Sequence, residues 1–216
     1  MLDIANKPKL DRDTRREAIL DVARDVFLEE GYASASMSTI AARLGGSKGT
    51  LYNYFKNKEE LFAAYVVRHC AWQSEAMFAM LAEDEDVHRA LTELGRTYLS
   101  IVLSDFSLRN FRVIVAEAQR SPAIGRAFYE SGPQRGSRLL ADFLEQAAAK
   151  GQLRVPDPLR AAHQFIGLCQ NRLMKARLCN FMPEPTPEEI DVEVIAAVET
   201  FLAAFGPRPA AATSAA

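Results

Sequence analysis

Apolar residues recur along nearly the whole chain at the three- and four-residue spacing of a helix, and no window alternates as a strand does. Within residues 15–30 this stripe consists of Ile19, Val22, Ala23, Val26 and Phe27. A one-sided stripe of this kind predicts an amphipathic helix that buries one face against its neighbours. Because similar patterns continue to Phe205, we expect an all-α protein of about nine helices.

Glycine and capping residues divide this pattern into separate helices. Gly31 is predicted to end the first helix, and the pair Gly45-Gly46 separates a short second helix from a third. Asn57, with Glu60 three residues later, resembles a capping box that starts a long helix through about Leu81. Further helices are predicted over residues 87–104, 106–120, 122–150, 158–181 and 187–205.

The composition fits a protein of a reducing compartment. Apolar residues make up 49% and charged residues 25% of the 216, which allows both a core and a soluble surface. No stretch has the roughly 18 uninterrupted apolar residues of a membrane span, and the first residues lack the apolar segment of a secretory signal. Cys70, Cys169 and Cys179 form no C-x-x-C pair. We therefore expect a cytoplasmic protein without a membrane span, metal site or cofactor.

The segment STIAARLGGSKGTLYNYFKNKEEL, residues 38–61, admits two interpretations. A phosphate-binding loop would need G-x-x-x-x-G-K-[ST] after a strand, whereas here Lys48 is followed by Gly49 and the preceding segment is helical. A dinucleotide-binding G-x-G-x-x-G fails on spacing as well. The segment therefore does not indicate a nucleotide-dependent enzyme, and no catalytic motif occurs elsewhere in the sequence.

A helix-turn-helix fits every feature of the same segment. A first helix would cross the DNA backbone, the glycine pair would form the turn, and a second helix capped by Ser47 would enter the major groove. Leu51 and Phe55, four residues apart, would bury the far face of that second helix. Residues 38–58 carry four basic residues and no acid, which makes a local positive patch. The alternative is a solvated face of an ordinary helical hairpin.

The sequence EGYASASMSTIAARLGGSKGTLYNYFKNKEELF closely resembles the DNA-binding signature of the TetR family of transcriptional regulators, in its AcrR-like form. The likeness covers roughly residues 15–62, and its SKGTLYNYF-x-x-KEEL core is highly specific. It implies an all-helical homodimer with an N-terminal three-helix DNA-binding domain and a C-terminal body that binds a small-molecule effector. It also implies repression that the effector relieves. Where the family commonly has a small hydrophobic residue, often Val, this chain has Gly46, which is expected to soften the turn by about 1 kcal/mol.

By position, the resemblance assigns phosphate contacts to Thr39, Tyr52, Tyr54 and Lys58. The residues that it places next to the bases are Lys48, Gly49, Thr50 and Asn53. Ser47, a further predicted DNA-binding residue, is small enough to let the backbone approach the DNA closely. An N-terminal arm is predicted either to reach an adjacent minor groove or to form a solvated tail, and its basic residues are Lys7, Lys9, Arg12, Arg15 and Arg16. The expected limits are 1–12 for the flexible arm, 13–62 for the DNA-binding domain, 63–206 for the effector-binding and dimerisation domain and 207–216 for a disordered tail.

The resemblance also implies that two C-terminal helices of each protomer form the dimer interface. The apolar residues predicted at that interface are Phe165, Cys169, Leu173, Val194, Val198, Phe201 and Phe205. The alternative is that they form the core of a single chain, and the sequence leaves both interpretations open. A symmetric dimer would read a palindrome in double-stranded DNA, because one helix-turn-helix contacts few base pairs.

Aromatic and polar side chains of the middle helices are candidates for the effector pocket: His69, Trp72, Tyr98, Phe106, Arg109, Arg112 and Phe128. For each of them a place in the core or on the surface is the alternative interpretation. Their aromatic content favours an apolar or aromatic effector, and the C-terminal half resembles the subgroup that controls multidrug efflux genes. The long helix from near Lys58 is expected to transmit effector binding to the DNA-binding domains. The alternative function is a helical ligand-binding or adaptor protein without specific DNA binding.

Overall fold

The computed structural model describes residues 11–78 and 86–207, and over these ranges the protein is all-α, as the sequence predicts. Lys7 and Lys9 of the predicted arm, the predicted helix end near Leu81 and the tail from residue 208 lie outside the described residues. No helix in the described ranges is long and apolar enough to cross a membrane. The helices are α1 (Arg12–Ser34), α2 (Met37–Arg43), α3 (Lys48–Tyr52), α4 (Lys58–Phe78), α5 (Val87–Val102), α6 (Asp105–Ala118), α7 (Pro122–Tyr129), α8 (Arg135–Ala149), α9 (Pro158–Gln170), α10 (Leu173–Leu178) and α11 (Pro187–Phe205).

The described residues form two compact units that are not consecutive halves of the chain. The first unit contains residues 11–68 and 113–127, and the second contains residues 69–112 and 128–207. The first boundary therefore falls inside α4. The order of helices along the sequence gives no sign that residues 113–127 belong with the first unit. The domain limits expected from the sequence, with a boundary at residue 62, stay a prediction.

The core of the first unit is built from α1, α2, α3 and the beginning of α4. Each of these helices contributes a buried side chain, in the order Ile19, Ile40, Leu51 and Phe62. Phe55, which follows α3, is buried with them. Phe62 packs edge-on against Phe27, with ring centroids 4.8 Å apart. Leu51 and Phe55 bury the far face of α3, and this part of the prediction is confirmed.

Two glycines of this unit adopt backbone conformations that other residues rarely take. Gly31 has a φ of 77°, and Gly45, in the turn between α2 and α3, has a φ of 68°. Only a residue without a Cβ takes these left-handed values at little cost. The helix stop predicted at Gly31 is present as a kink, after which α1 continues to Ser34. Gly46, the second glycine of the pair, has no positive φ.

Side-chain caps fix the starts of α3 and α4. The Oγ of Ser47 accepts a hydrogen bond from the backbone N–H of Thr50 at 3.2 Å. The Oδ1 of Asn57 accepts from the backbone N–H of Glu60 at 2.8 Å. The carboxylate of Glu60 accepts in turn from the backbone N–H of Lys56 at 2.8 Å, so the reciprocal bond of the predicted capping box is shifted by one residue.

The core of the second unit is built from α5, α8, α9 and α11. Six of the seven residues predicted at the dimer interface lie in this core and are at most 1% exposed in the single chain: Phe165, Cys169, Leu173, Val194, Val198 and Phe201. Phe205 is partly buried and packs against the same core. Because these six side chains are enclosed by their own chain, the structure favours a single-chain core for them over direct contact with a partner. They form the core that the sequence left open as an alternative.

Two of the predicted helices are each divided in the structure. The helix predicted over residues 122–150 consists of α7, a π-helical turn (Glu130–Gln134) and α8. Pro133 lies inside the π turn, where its missing N–H and its ring would disrupt a regular α-helix. The helix predicted over residues 158–181 ends at Gln170 and resumes as α10. The helix predicted over residues 187–205 coincides with α11 at both ends.

Candidate nucleic-acid interface

The third helix presents a polar surface on a buried apolar base. Four of the predicted DNA-contacting residues are exposed on or directly after α3: Lys48, Gly49, Tyr52 and Asn53. Thr50 and Tyr54 are half-buried beside them. Leu51 is fully buried on the other side, so the first unit holds α3 by one face and leaves the other face open.

The hydroxyl groups predicted to meet DNA also hold the helices in place. The Oγ1 of Thr50 lies 3.0 Å from the Oγ of Ser47, which caps α3. In the same way, the Oγ1 of Thr39 lies 2.9 Å from the Oγ of Ser36, which caps α2 by accepting from the Thr39 backbone N–H at 3.0 Å. Because a hydroxyl both donates and accepts, these contacts leave capacity for a bond to a phosphate oxygen.

Lys58 has a different role from the phosphate contact predicted for it. Its Nζ donates to the backbone carbonyls of Tyr32, Ala33 and Ala35 at 2.6, 3.3 and 2.9 Å. The ammonium also lies 4.4 Å from the centre of the Tyr32 ring, as in a cation–π contact. An ammonium has three donors, and these three carbonyls at the C-terminal end of α1 use them. The structure corrects the prediction: Lys58 fastens the start of α4 to the end of α1.

The positive patch over residues 38–58 is smaller than the sequence suggests. Arg43 donates to two carboxylates of α1, at 2.5 and 3.3 Å. With Lys58 also engaged, Lys48 and Lys56 are the cations of this segment whose ammonium groups have no acceptor within the described residues. These two cations are therefore the ones that the segment itself can offer to an anionic partner.

The geometry of α3 matches what a major groove requires. Lys48 and Asn53 carry donors of the kind that can bind base edges, and the hydroxyl of Tyr52 can donate to a phosphate oxygen. The caps and the buried base fix the direction of these groups before any ligand binds. A short helix presented in this way after a tight turn defines a helix-turn-helix DNA-binding protein.

Comparisons with known families agree with this class. The model of the bacterial regulatory proteins of the tetR family matches residues 19–65, and that of the C-terminal domain of AefR-like transcriptional repressors matches residues 89–207. The second match alone spans more than half of the chain. The chain belongs to the TetR family of transcriptional regulators, which bind DNA and are not enzymes.

Individual relatives share different parts of the chain. The transcriptional regulator UidR of Escherichia coli K12 is 30% identical over 139 residues, which are 64% of this chain and 68% of UidR. The transcriptional activator FasR of Mycolicibacterium smegmatis is 46% identical over 61 residues, and this match spans 28% of either chain. Among solved structures, a TetR-family regulator of Mesorhizobium loti MAFF303099 has a TM-score of 0.85 at 28% identity and covers 91% of this chain and 99% of its own. The flavonoid-responsive regulator FrrA has a TM-score of 0.72 at 35% identity and covers 90% and 98%.

Four of the residues predicted for the effector pocket are partly buried in the second unit: His69, Tyr98, Phe106 and Phe128. The His69 ring is edge-on to the Phe106 ring, with centroids 5.1 Å apart. The Phe128 ring lies 5.5 Å from that of Phe111. Tyr98 belongs to α5, and its hydroxyl accepts from the Nε2 of Gln170, a partner that the sequence did not suggest.

Burial keeps the polar groups around Tyr98 neutral. Desolvation raises the pKa of the Tyr98 phenol and raises the pKa of the Cys169 thiol to about 12. Both groups are therefore protonated at neutral pH. The Gln170 amide satisfies the phenol, so this part of the second unit forms a neutral, hydrogen-bonded interior.

The other three pocket candidates are placed differently from the prediction. Arg112 donates to the carbonyl of Arg177 and to the Oδ1 of Asn180, both at 2.7 Å, and thereby binds the end of α10. Its guanidinium is therefore engaged within the protein, and its place in the effector pocket stays a prediction. Trp72 is 67% exposed, and Arg109 is exposed with its Nε bound to a carbonyl one helical turn earlier.

A groove of about 480 Å³ lies between α9 and α11. Its lining is mostly small or apolar: Gln164, Gly167, Leu168, Asn171, Thr200, Phe201, Ala204 and Phe205. Three large apolar residues of the same two helices are exposed in the single chain, namely Leu159 (43%), Val192 (64%) and Ile195 (44%). These helices therefore carry an apolar surface in addition to their buried face.

Proposed function

We propose that this DNA-binding regulator is a repressor, which binds a palindromic operator as a homodimer and is released by a small apolar or aromatic effector. The observation that carries the proposal is the exposed polar face of α3 on a rigid, internally bonded frame. In this proposal Lys48, Gly49, Thr50 and Asn53 lie at the bases. Thr39, Ser47, Tyr52 and Tyr54 contact phosphates.

Repression is supported by the family match of the C-terminal region, which is proposed to bind the effector. The AefR-like repressor model matches residues 89–207, which contain most of the second unit. The activator FasR is similar over 61 residues, 28% of either chain, so that its direction of regulation says little about this protein.

Dimerisation through α9 and α11 is supported by their exposed apolar face. The residues proposed for contact are those directed away from the core, including Leu159, Val192 and Ile195. The groove between the two helices would receive side chains of the second protomer. Of the residues first predicted for this interface, Phe201 and Phe205 line the groove, and Phe205 is the partly exposed one.

The effector site is proposed between α4, α6 and the π turn. His69 and Phe106 face each other there, and the Nε2 of Gln73 donates to the Oγ of Ser107 at 3.1 Å. The π turn is in close contact with α4, because a Cβ at Gly132 would lie 3.2 Å from the Sγ of the buried Cys70. Aromatic rings with a few polar groups suit a planar, largely apolar ligand. π turns are frequent at functional sites.

The proposed effector class also has support from relatives. FrrA, 35% identical over 90% of this chain, is described as flavonoid-responsive, and flavonoids are planar aromatic molecules. SmeT, the repressor of a multidrug efflux pump in Stenotrophomonas maltophilia, is 26% identical with a TM-score of 0.59. A planar aromatic effector is therefore the first class to test.

Release follows from thermodynamic linkage. An effector that binds the DNA-free arrangement more tightly than the DNA-bound one shifts the population towards free protein. To convert a mostly bound population into a mostly free one, the two effector affinities must differ by several kcal/mol, or about 10⁴-fold. Equal effector affinity of free and DNA-bound protein would rule this mechanism out.

The first experiment is selection of bound sequences from random duplex DNA at moderate salt. Enrichment of one palindrome is the expected result, and its half-site spacing should be one or two helical turns. Folded protein that enriches no sequence would favour a ligand-binding or adaptor role. The mass of the complex on the enriched duplex then gives the number of protomers, and a single protomer would contradict the dimer.

A further inference from the structure

An arginine side chain fills the space beside Gly46, the position where this chain has glycine in place of the small hydrophobic residue that the family resemblance implies. A Cβ at position 46 would lie 3.4 Å from the Nη2 of Arg15, an α1 side chain. The backbone does not require glycine there, since Gly46 has no positive φ, whereas Gly45 does. The missing side chain thus provides space for the Arg15 guanidinium at the turn before α3.

Arg15 brings a charge to this turn that no described residue neutralises. It is half-buried, and its guanidinium has no hydrogen-bond or ion-pair partner in residues 11–78 and 86–207. Two acids near it in sequence are engaged elsewhere: Asp11, the N-cap of α1, accepts from the backbone N–H of Arg12, and Glu17 binds Arg68 at 2.9 Å. The third, Asp13 in the first turn of α1, forms no ion pair with Arg15 in the described residues. A half-buried guanidinium without a counter-charge is ready to bind an anion.

Two other arginines of α1, Arg16 and Arg24, are engaged within the protein. The Arg16 guanidinium lies 5.4 Å from the centre of the Phe55 ring and 3.7 Å from Glu17. Arg24, further along the same helix, donates to Asp25 at 2.8 Å. Both are thus satisfied within the protein, while Arg15 lies next to the turn that precedes Lys48.

We propose that Arg15 contacts an operator phosphate and that Gly46 positions it. The inference rests on the proposed operator binding and adds a cation from α1 to the two that residues 38–58 can offer, Lys48 and Lys56. The contact is to phosphate, because Arg15 flanks the turn of the motif, and side chains beside the recognition helix mostly meet the backbone. A Val at position 46 would add methyl groups beyond a Cβ already in contact with Arg15, and would displace the guanidinium.

The test is the salt dependence of operator affinity for Arg15→Gln. We expect a loss of about three- to tenfold per protomer at moderate salt, and a shallower slope of log K against log salt by about 0.9 per protomer. Arg24→Gln is the matched control, since it removes the same charge from the same helix and should leave the slope unchanged. A slope equal to that of wild type in Arg15→Gln would overturn the proposal.

Gly46 is tested by a double-mutant cycle with Arg15→Gln. Gly46→Val should weaken binding by a similar factor, and the double variant should be no weaker than either single variant, because both remove one contact. Gly46→Ala adds a methyl group in ordinary contact distance and should bind nearly as wild type. Fully additive losses from Gly46→Val and Arg15→Gln would overturn the positioning role.

Thermal unfolding and Arg15→Lys separate this inference from folding effects and from the proposed function. Arg15→Gln should keep the thermal stability of wild type, because Arg15 has no partner in the described parts of the fold. Arg15→Lys keeps a charge and should keep most of the salt slope. A wild type that prefers no sequence would overturn both proposals, whereas normal operator binding with an unaffected Arg15→Gln variant would overturn this one alone.

Discussion

The helix proposed to face DNA, α3, and the last helix of the second unit, α11, are held in place in opposite ways. α3 has five residues and buries Leu51, so its position depends on caps and on the helices around it. α11 has nineteen residues and buries Ile190, Val194, Ala197, Val198 and Phe201, so it is held by its own apolar face. Polar side chains without internal partners in the described residues therefore distinguish the open face of α3, which is the proposed contact surface. In α11 an apolar stripe alone does not distinguish a core from an interface.

The largest expected effect is on the buried face of α11. Phe201→Ala should lower the free energy of unfolding by about 3–5 kcal/mol, because the ring is enclosed between Phe165 and Phe205 with centroids 5.4 and 4.8 Å away. Chemical denaturation measures this loss. Ile195→Ala, on the exposed face, is the control and should weaken association of protomers rather than the fold. Equal destabilisation by both variants would remove the distinction between the two faces.

The exposed face of α3 should show the reverse behaviour. Lys48→Ala should reduce operator affinity by about 1–3 kcal/mol per half-site, and Tyr52→Phe by less, with thermal stability unchanged in both. Fluorescence anisotropy with the selected duplex measures the affinity. Undiminished affinity in both variants would contradict the proposed docking of α3.

A third prediction separates two lysines of the same motif. Lys58→Met should lower stability by about 1–2 kcal/mol, because the carbonyls of Tyr32 and Ala35 lose a charged donor. Lys56→Met, two residues away, is the control, since its ammonium has no acceptor in the described residues and its loss should leave stability unchanged. If Lys58→Met altered the salt slope of DNA binding and not the unfolding midpoint, the capping role would be wrong.

The smallest effect is the acid dependence of one exposed carboxylate. The Arg177 guanidinium donates to Asp105 at 2.5 Å and lowers the pKa of that carboxyl below its ordinary value. The stabilisation is therefore present above the pKa of the unfolded chain and is lost as pH falls through the lower pKa of the folded protein. Urea midpoints between about pH 5 and 2 should fall less steeply in Asp105→Asn than in wild type. Asp142→Asn, at an exposed position of α8, is the control and should reproduce the wild-type curve.

Local chemistry determined the parts of the structure that the sequence predicted well. The start of α11 follows from Thr186 and Glu189, which form a complete capping box around a proline at the first helical position. The buried base of α3 follows from the four-residue spacing of Leu51 and Phe55. Each of these features depends on residues within one turn of each other, so pattern and propensity suffice.

The parts that the sequence could not predict depend on distant partners. Lys58 looks like any basic residue of the motif until α1 brings three carbonyls to its ammonium from more than twenty positions away. The π turn packs against α4 some sixty positions earlier in the chain, where a Cβ at Gly132 would lie 3.2 Å from the Sγ of Cys70. Arg15 appears in the sequence as one more basic residue of an arm. The position of its guanidinium beside the turn depends on the absence of a side chain at Gly46.

The π turn between α7 and α8 also has a consequence for how the family can vary. A π turn closes its hydrogen bond one residue later than an α turn, so the stretch around Pro133 contains one residue more than an uninterrupted helix would. Each residue of an α-helix advances the direction of its side chains by about 100°. One extra residue in a regular helix would therefore turn every side chain of α8 by that angle, and the wider π turn absorbs this residue instead. Loss of a single codon here would leave the face that α8 presents to α9 nearly unchanged, with no substitution in α8 itself. In an alignment of relatives, a one-residue gap at this point would mark members in which α7 and α8 join as one regular α-helix.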